Sequence, residues 1–175
     1  LSDRRQRQMC IRDRLNSIGI GLTNVIFTFI GINLIDRLGR KILMYIGSFG
    51  YIISLTLISL SFILNWGGAS LPIFLFIFIA SHAIGQGAII WVYISEIFPN
   101  NIRSYGQSFG VSTHWVLAAI IPSLVPFLFN LVGAGVVFAF FAFMMVLQLI
   151  FVHFIMPETK GISLEDLSKK LIKDN

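Results

Sequence analysis

Residues 136–156 read VVFAFFAFMMVLQLIFVHFIM, and no Asp, Glu, Lys or Arg interrupts them. Coiled into a helix, this run is apolar on every face, whereas a surface helix of a soluble domain would carry a polar stripe. At about 1.5 Å rise per residue, about 20 helical residues cross the roughly 30 Å hydrocarbon core of a bilayer, and the run meets that length. In lipid every backbone amide must be paired within its own segment, so helix is the expected conformation. The run is also too long for a strand of a membrane barrel.

Working outward from it, the same reading finds segments that span Ser17–Ile35, Ile42–Leu64, Leu71–Ile94 and Gly106–Asn130, and it extends the quoted run back to Val132. The expected fold is therefore all-α, a polytopic membrane protein with five transmembrane helices over residues 17–157. Composition agrees: 56% of the 175 residues are apolar and only 12% are charged, far from the balance of a soluble domain. The net charge of +5 does not point to nucleic acid, because the basic residues lie in short clusters between the apolar runs. Cys10 is the only cysteine, so no internal disulfide can form and the redox compartment is not legible.

The connections carry the topology. Asp36–Lys41, Ser95–Tyr105 and the chain after Pro157 hold Arg37, Arg40, Lys41, Arg103, Lys160, Lys169, Lys170 and Lys173, while Asn65–Ser70 and Asn130–Ala134 hold no charge. Under the positive-inside rule the charged connections and the C-terminus are cytoplasmic, and the first helix enters from outside. The expected location is a cell membrane, of the bacterial inner-membrane kind. Residues 1–16 conflict with this orientation, since Arg4, Arg5, Arg7, Arg12 and Arg14 would flank the first helix on the outer face. They are set apart as a basic leader, foreign or disordered, and Met9–Arg14 resembles a mistranslated sequencing-adapter read. A basic arm on anionic lipid is the competing reading. Residues 158–175 are expected as a cytoplasmic tail with a short helix, opened by Ser163 ahead of Glu165 and Asp166.

Three motifs stand at helix ends: Asp36-Arg37-Leu38-Gly39-Arg40-Lys41, Ser95-Glu96-Ile97-Phe98-Pro99 with Arg103 behind it, and Pro157-Glu158-Thr159-Lys160-Gly161. In order and in helix spacing they resemble the C-terminal half of the sugar porter family of the major facilitator superfamily, over about Ser17 to Leu171. The resemblance implies helices eight to twelve of a twelve-helix fold, hence a fragment whose N-terminal seven helices are a missing partner. It also implies that Asp36, Arg40, Glu96, Arg103 and Glu158 form a cytoplasmic gating network that is intact when the inner side is closed. Arg offers carboxylates bidentate geometry, which suits a latch. The plainer reading is a set of solvated charges, each exposed pair contributing roughly 0–1 kcal/mol.

Polar groups inside the apolar runs are costly in lipid and mark a cavity or a partner helix. By the resemblance, Asn24, with Thr28 one turn on, matches an asparagine that binds sugar hydroxyls; the alternative is an interhelical hydrogen bond. The stretch His82-Ala83-Ile84-Gly85-Gln86-Gly87-Ala88-Ile89-Ile90-Trp91 has two glycines that ease bending in mid-helix, and transporters place substrate at such breaks. Trp91 matches the family's sugar-stacking tryptophan. The family's two prolines here are replaced by Gln86 and Ala88, which leaves the size of the break open, and Gln86 adds a group that could meet a hydroxyl. His114 and Trp115 fall where the family has an asparagine and a tryptophan that contact substrate, and an imidazole can both donate and accept. A structural histidine is the alternative at 114 and the favoured reading at His82, and His153 reads as interfacial.

No His, Cys or carboxylate spacing suggests a metal, and no cofactor is expected. The function that the resemblance implies is transport of a monosaccharide, hexose or pentose, by alternating access, with the sugar and the bilayer as partners. A coupled cation stays open, because the decisive carboxylate of proton-coupled relatives lies on their first helix. A transporter of another polyol or small organic solute, or a membrane assembly partner or split half-transporter, are the alternatives. An intramembrane enzyme would need a nucleophile, metal or carboxylate constellation that the sequence lacks.

Overall fold

A computed structural model describes residues 2–66 and 70–162, with side chains from Arg14 onward. The described residues form six helices in chain order: α1 (Ser2–Leu38), α2 (Arg40–Ile63), α3 (Leu71–Ile84), α4 (Gln86–Ile97), α5 (Arg103–Val132) and α6 (Ala134–Phe154). Five stretches are long and apolar enough to cross a membrane: Arg14–Leu38, Arg40–Ile63, Leu71–Ile97, Arg103–Val132 and Ala134–Phe154. The third is α3 and α4 taken together, so the all-α, five-span fold expected from hydropathy is the fold observed.

The connections are shorter than the apolar runs suggested. Gly39 alone separates α1 from α2, and Gly133 alone separates α5 from α6. Their φ values of 91° and 84° are closed to most L side chains, so glycine lets the chain reverse in one residue. At the far end of α2, Asn65 takes a φ of 52°, the left-handed conformation in which helices commonly stop. Residues 2–16, set apart in the sequence as a leader, continue α1 without interruption. The tail helix expected at Ser163–Leu167 lies outside the described residues.

The second helix is the hub. It packs chiefly on α6 and on α3, and its buried face is lined by small and polar residues as well as Leu43, Met44, Leu55 and Ile58. Small residues let backbones approach, which is how helices associate where lipid is already apolar. Ser59 donates its hydroxyl to the Gly135 carbonyl at 2.7 Å, stitching α2 to the start of α6. One apolar core gathers Ile35, Leu43, Met44, Ile89, Tyr93, Val152 and Met156, and a second gathers Tyr51, Leu55 and Ala142.

Two elements stand at the periphery. No residue of α5 is buried, and only 11% of the hydropathic window of α1 is. Pro122 and Pro126 both sit inside α5, where each removes one backbone donor; in a membrane helix neighbouring groups and local adjustments compensate for that loss.

Candidate functional site

The three motif segments meet at one end of the bundle. Arg40, the first residue of α2, donates from Nη2 to Glu96 Oε1 at 2.7 Å and from Nε to Oε2 at 3.1 Å, a two-pronged pairing that only a guanidinium makes with a carboxylate. Glu96, near the end of α4, also accepts from the Thr159 hydroxyl at 2.6 Å. Glu158 takes the backbone amides of Arg40 and Lys41, each at 3.0 Å. It thereby supplies negative charge to the free amides at the N-terminus of α2, where the helix dipole favours it. The amides of Thr159 and Lys160 turn to the same carboxylate at 3.1 and 3.0 Å. Lys160 then donates to the Arg37 carbonyl at 2.6 Å.

Two residues placed in this network by sequence behave differently. Asp36 approaches Arg40 only to 3.6 Å, and its side chain is 86% exposed, so its charge is largely spent on water. Arg103 does not pair with Glu96: its Nε donates to the Phe98 carbonyl at 3.4 Å, and its Nη2 is buried without a partner. Arg40, Glu96, Arg103, Gln107 and Thr159 line a cavity of about 380 Å³ at this junction.

The third span breaks at Gly85, whose φ and ψ are −93° and −106°. No proline is needed for this. A Cβ on Gly85 would lie 2.7 Å from the Gly47 Cα, and one on Gly47 would lie 2.8 Å from the Gly85 Cα, so the break is seated glycine to glycine against α2. The amide of Gly85 still reaches the Ser81 carbonyl at 3.0 Å and that of Ile89 reaches the Gly85 carbonyl at 3.1 Å, which makes the break a bend rather than an unwound segment.

Trp91, His114 and Trp115 come together beside it. The Trp91 ring meets that of His114 edge-on at 5.0 Å and lies nearly parallel to Trp115 at 6.5 Å. His114 and Trp115 touch edge-on at 5.6 Å. Trp91 is 38% exposed and Trp115 62% exposed, so the cluster is an open aromatic surface carrying one imidazole, suited to a flat C–H face flanked by hydroxyls. Asn24 is exposed on α1, and its side-chain oxygen receives the Thr28 hydroxyl at 3.4 Å. Gln86 turns instead toward α2, where its Nε2 donates to Ser48 Oγ at 3.1 Å and its Oε1 is buried without a partner. The structure thus joins three of the five residues put forward as ligands and directs Gln86 into a helix interface.

Sequence reading missed several contacts. The amide capping by Glu158 and the Thr159–Glu96 bond join segments far apart in the chain, and only the tight run of polar residues after Pro157 hinted at them. His82 is hydrogen-bonded through Nδ1 to the Tyr51 hydroxyl, and His153 through Nδ1 to the Tyr45 hydroxyl at 2.8 Å. Nothing in the sequence pairs either histidine with a tyrosine of another helix. Among the described residues no group of His, Cys, Asp or Glu could hold a metal ion.

Comparison with known proteins adds a consistent set of likenesses. Residues 7–171 match the family described as "Sugar (and other) transporter". The chain is 38% identical over 155 residues to the arabinose-proton symporter of Bacillus subtilis, covering 88% of this chain and 33% of that protein. It is 35% identical over 158 residues to the D-xylose-proton symporter-like 2 of Arabidopsis thaliana, covering 89% and 31%. Among solved structures, it is similar to the inward open xylose transporter XylE from E. coli, with a TM-score of 0.84 and 30% identity over 89% of this chain and 35% of the other. The chain therefore spans about a third of the length of these relatives.

Proposed function

The chain belongs to the sugar (and other) transporter family, a family of multi-pass membrane proteins, and from that premise we propose that it is the C-terminal portion of a transporter that moves a monosaccharide by alternating access. Its five spans correspond in this reading to helices eight to twelve. The observation that carries it is the open surface of Trp91, His114 and Trp115 beside the break at Gly85. A sugar ring stacks on the indoles, His114 bonds a hydroxyl, and Asn24 adds an amide from α1. Gln86, turned into α2, acts on the shape of the break and not on the sugar.

The remaining helices of the transporter close the site from the uncovered side, where α5 has no buried residue. They are supplied by the same chain, or by a second one if the transporter is split. The charged end faces the cytoplasm in this assignment. There Arg40, Glu96, Glu158 and Thr159 tie the bundle end together beside the cavity that Arg103 lines, and breaking and remaking this network biases the equilibrium between inward and outward states. The relatives named as proton symporters favour a coupled proton, whose carboxylate lies on the helices outside this chain.

The test is uptake of labelled pentoses and hexoses by the full-length transporter in proteoliposomes. Trp91→Ala and Asn24→Ala are expected to lower uptake at least tenfold while the protein still reaches the membrane in normal amount. Uptake at the wild-type rate by both variants would refute the site.

A further inference from the structure

Side-chain hydrogen bonds hold α4 against α2 near both of its ends. At the charged end Arg40 grips Glu96. At the bend, Gln86, the first residue of α4, donates from Nε2 to the hydroxyl of Ser48 at 3.1 Å, and Ser48 is wholly buried, at 0% exposure. Gln86 and Glu96 stand ten residues apart, about 15 Å along the helix, with Trp91 midway between them.

As a packing device Gln86 is poor. Its Oε1 is buried without a partner, a cost that an apolar side chain of the same length would not carry. Gly47 on α2 makes the room for it, since a Cβ there would collide with that oxygen. Apolar contact also holds α4, through the buried Ile89 and Tyr93, but such contact has no direction. A hydrogen bond has one, and a buried polar group that costs stability is of use where it fixes a single arrangement. Trp91 lies five residues beyond Gln86 and therefore about 140° round the helix. Gln86 thus meets α2 while Trp91 meets His114 and Trp115 on α5.

We propose that Gln86 is a positioning residue, which through Ser48 fixes the turn of α4 about its own axis and so the face that Trp91 presents to the sugar. The inference rests on the sugar reading of the Trp91 surface. A turn of about 5° moves an indole about 7 Å from the helix axis by about 0.6 Å, more than the roughly 0.5 Å that a binding constellation tolerates. Released from Ser48, α4 keeps its hold at Glu96 and its apolar contacts, so the helix stays in place. Trp91 loses its register with His114 and Trp115, and the sugar binds more weakly to a transporter that is still folded.

The experiment measures uptake against sugar concentration, by the full-length transporter in proteoliposomes, for Gln86→Met, Ser48→Ala and the two together. Methionine keeps the length of glutamine without the bond. Each single variant is expected to raise KM about 3- to 15-fold, the range of one hydrogen bond between membrane helices, with the maximal rate per transporter within about twofold of the wild type. The double variant should show the same rise as either single one, because all three lose the same bond. Ser48→Ala carries the test if Gln86→Met does not reach the membrane. A merely structural bond would lower the maximal rate and leave KM unaltered. That result, an unchanged KM at an unchanged rate, or a double variant whose rise is the product of the two single ones overturns the proposal and leaves the sugar reading standing. No uptake of any sugar by the wild type overturns both.

Discussion

Replacing Arg40 and Glu96 by alanine, singly and together, measures how firmly the charged junction ties α2 to α4. Their side chains are 12% and 24% exposed, and two charge-assisted bonds of 2.7 and 3.1 Å join them. Such bonds contribute about 1.5–3 kcal/mol each when fully shielded. Residual water at Glu96 reduces this, and a coupling of about 1–2 kcal/mol is expected for the pair. Arg40→Ala alone should cost about 2–3 kcal/mol, because it leaves Glu96 with only the Thr159 hydroxyl. Glu96→Ala should cost a similar amount, because it leaves Arg40 with only the Ile35 carbonyl at 3.5 Å and the exposed Asp36 and takes the acceptor from the buried Thr159 hydroxyl. The double variant should then cost less than the sum by the coupling. Asp36→Asn is the internal control: a side chain that is 86% exposed at 3.6 Å should change stability by less than about 0.5 kcal/mol. The assay is reversible unfolding of the full-length transporter in mixed micelles. A coupling below about 0.3 kcal/mol, the level of exposed ion pairs, would refute the tie, as would an Asp36→Asn loss equal to that of Arg40→Ala.

Other consequences follow from the same geometry. Gly85→Ala drives a methyl to 2.7 Å from the Gly47 Cα and should cost about 1–3 kcal/mol by overpacking, whereas Gly21→Ala, with nothing within 4 Å of the new carbon, should be neutral or mildly stabilising; thermal unfolding in detergent compares the two. Glu158→Gln removes the charge that caps α2 and should cost about 1 kcal/mol, and an unchanged unfolding midpoint would show that the amides at Arg40 and Lys41 need no carboxylate. Ser59→Ala breaks the link to the Gly135 carbonyl and should cost about 0.6–1.7 kcal/mol, the range of hydrogen bonds between membrane helices, read by the same unfolding measurement.

The spans were legible in the sequence because apolar length is a one-dimensional property, and lipid leaves helix as the only open-ended solution. The bend in the third span was half legible. Gly85 and Gly87 announced a weak point, but the bend is fixed by Gly47, a residue on another helix that hydropathy does not connect to it. Gln86 shows why ligand assignments are harder. Successive residues of a helix point about 100° apart, so the step from Gln86 to Gly87 decides whether a side chain enters the α2 interface or follows the Trp91 face. Arg103 shows the same for charge: motif spacing places it at the junction, while the Phe98 carbonyl decides where its guanidinium points. Thr159 and Glu158 were visible as polar residues after Pro157, yet their partners lie more than fifty positions away, and pairings of that kind follow only from the packed bundle.

Sugar counterflow in proteoliposomes tests the central reading most directly. Vesicles holding the full-length transporter and preloaded with unlabelled pentose or hexose are diluted into a trace of the same labelled sugar. Alternating access through the Trp91 surface predicts a transient accumulation of label above the outside level, lost in Trp91→Ala. No overshoot with any sugar of the panel, in vesicles where the protein is folded and correctly inserted, would contradict it.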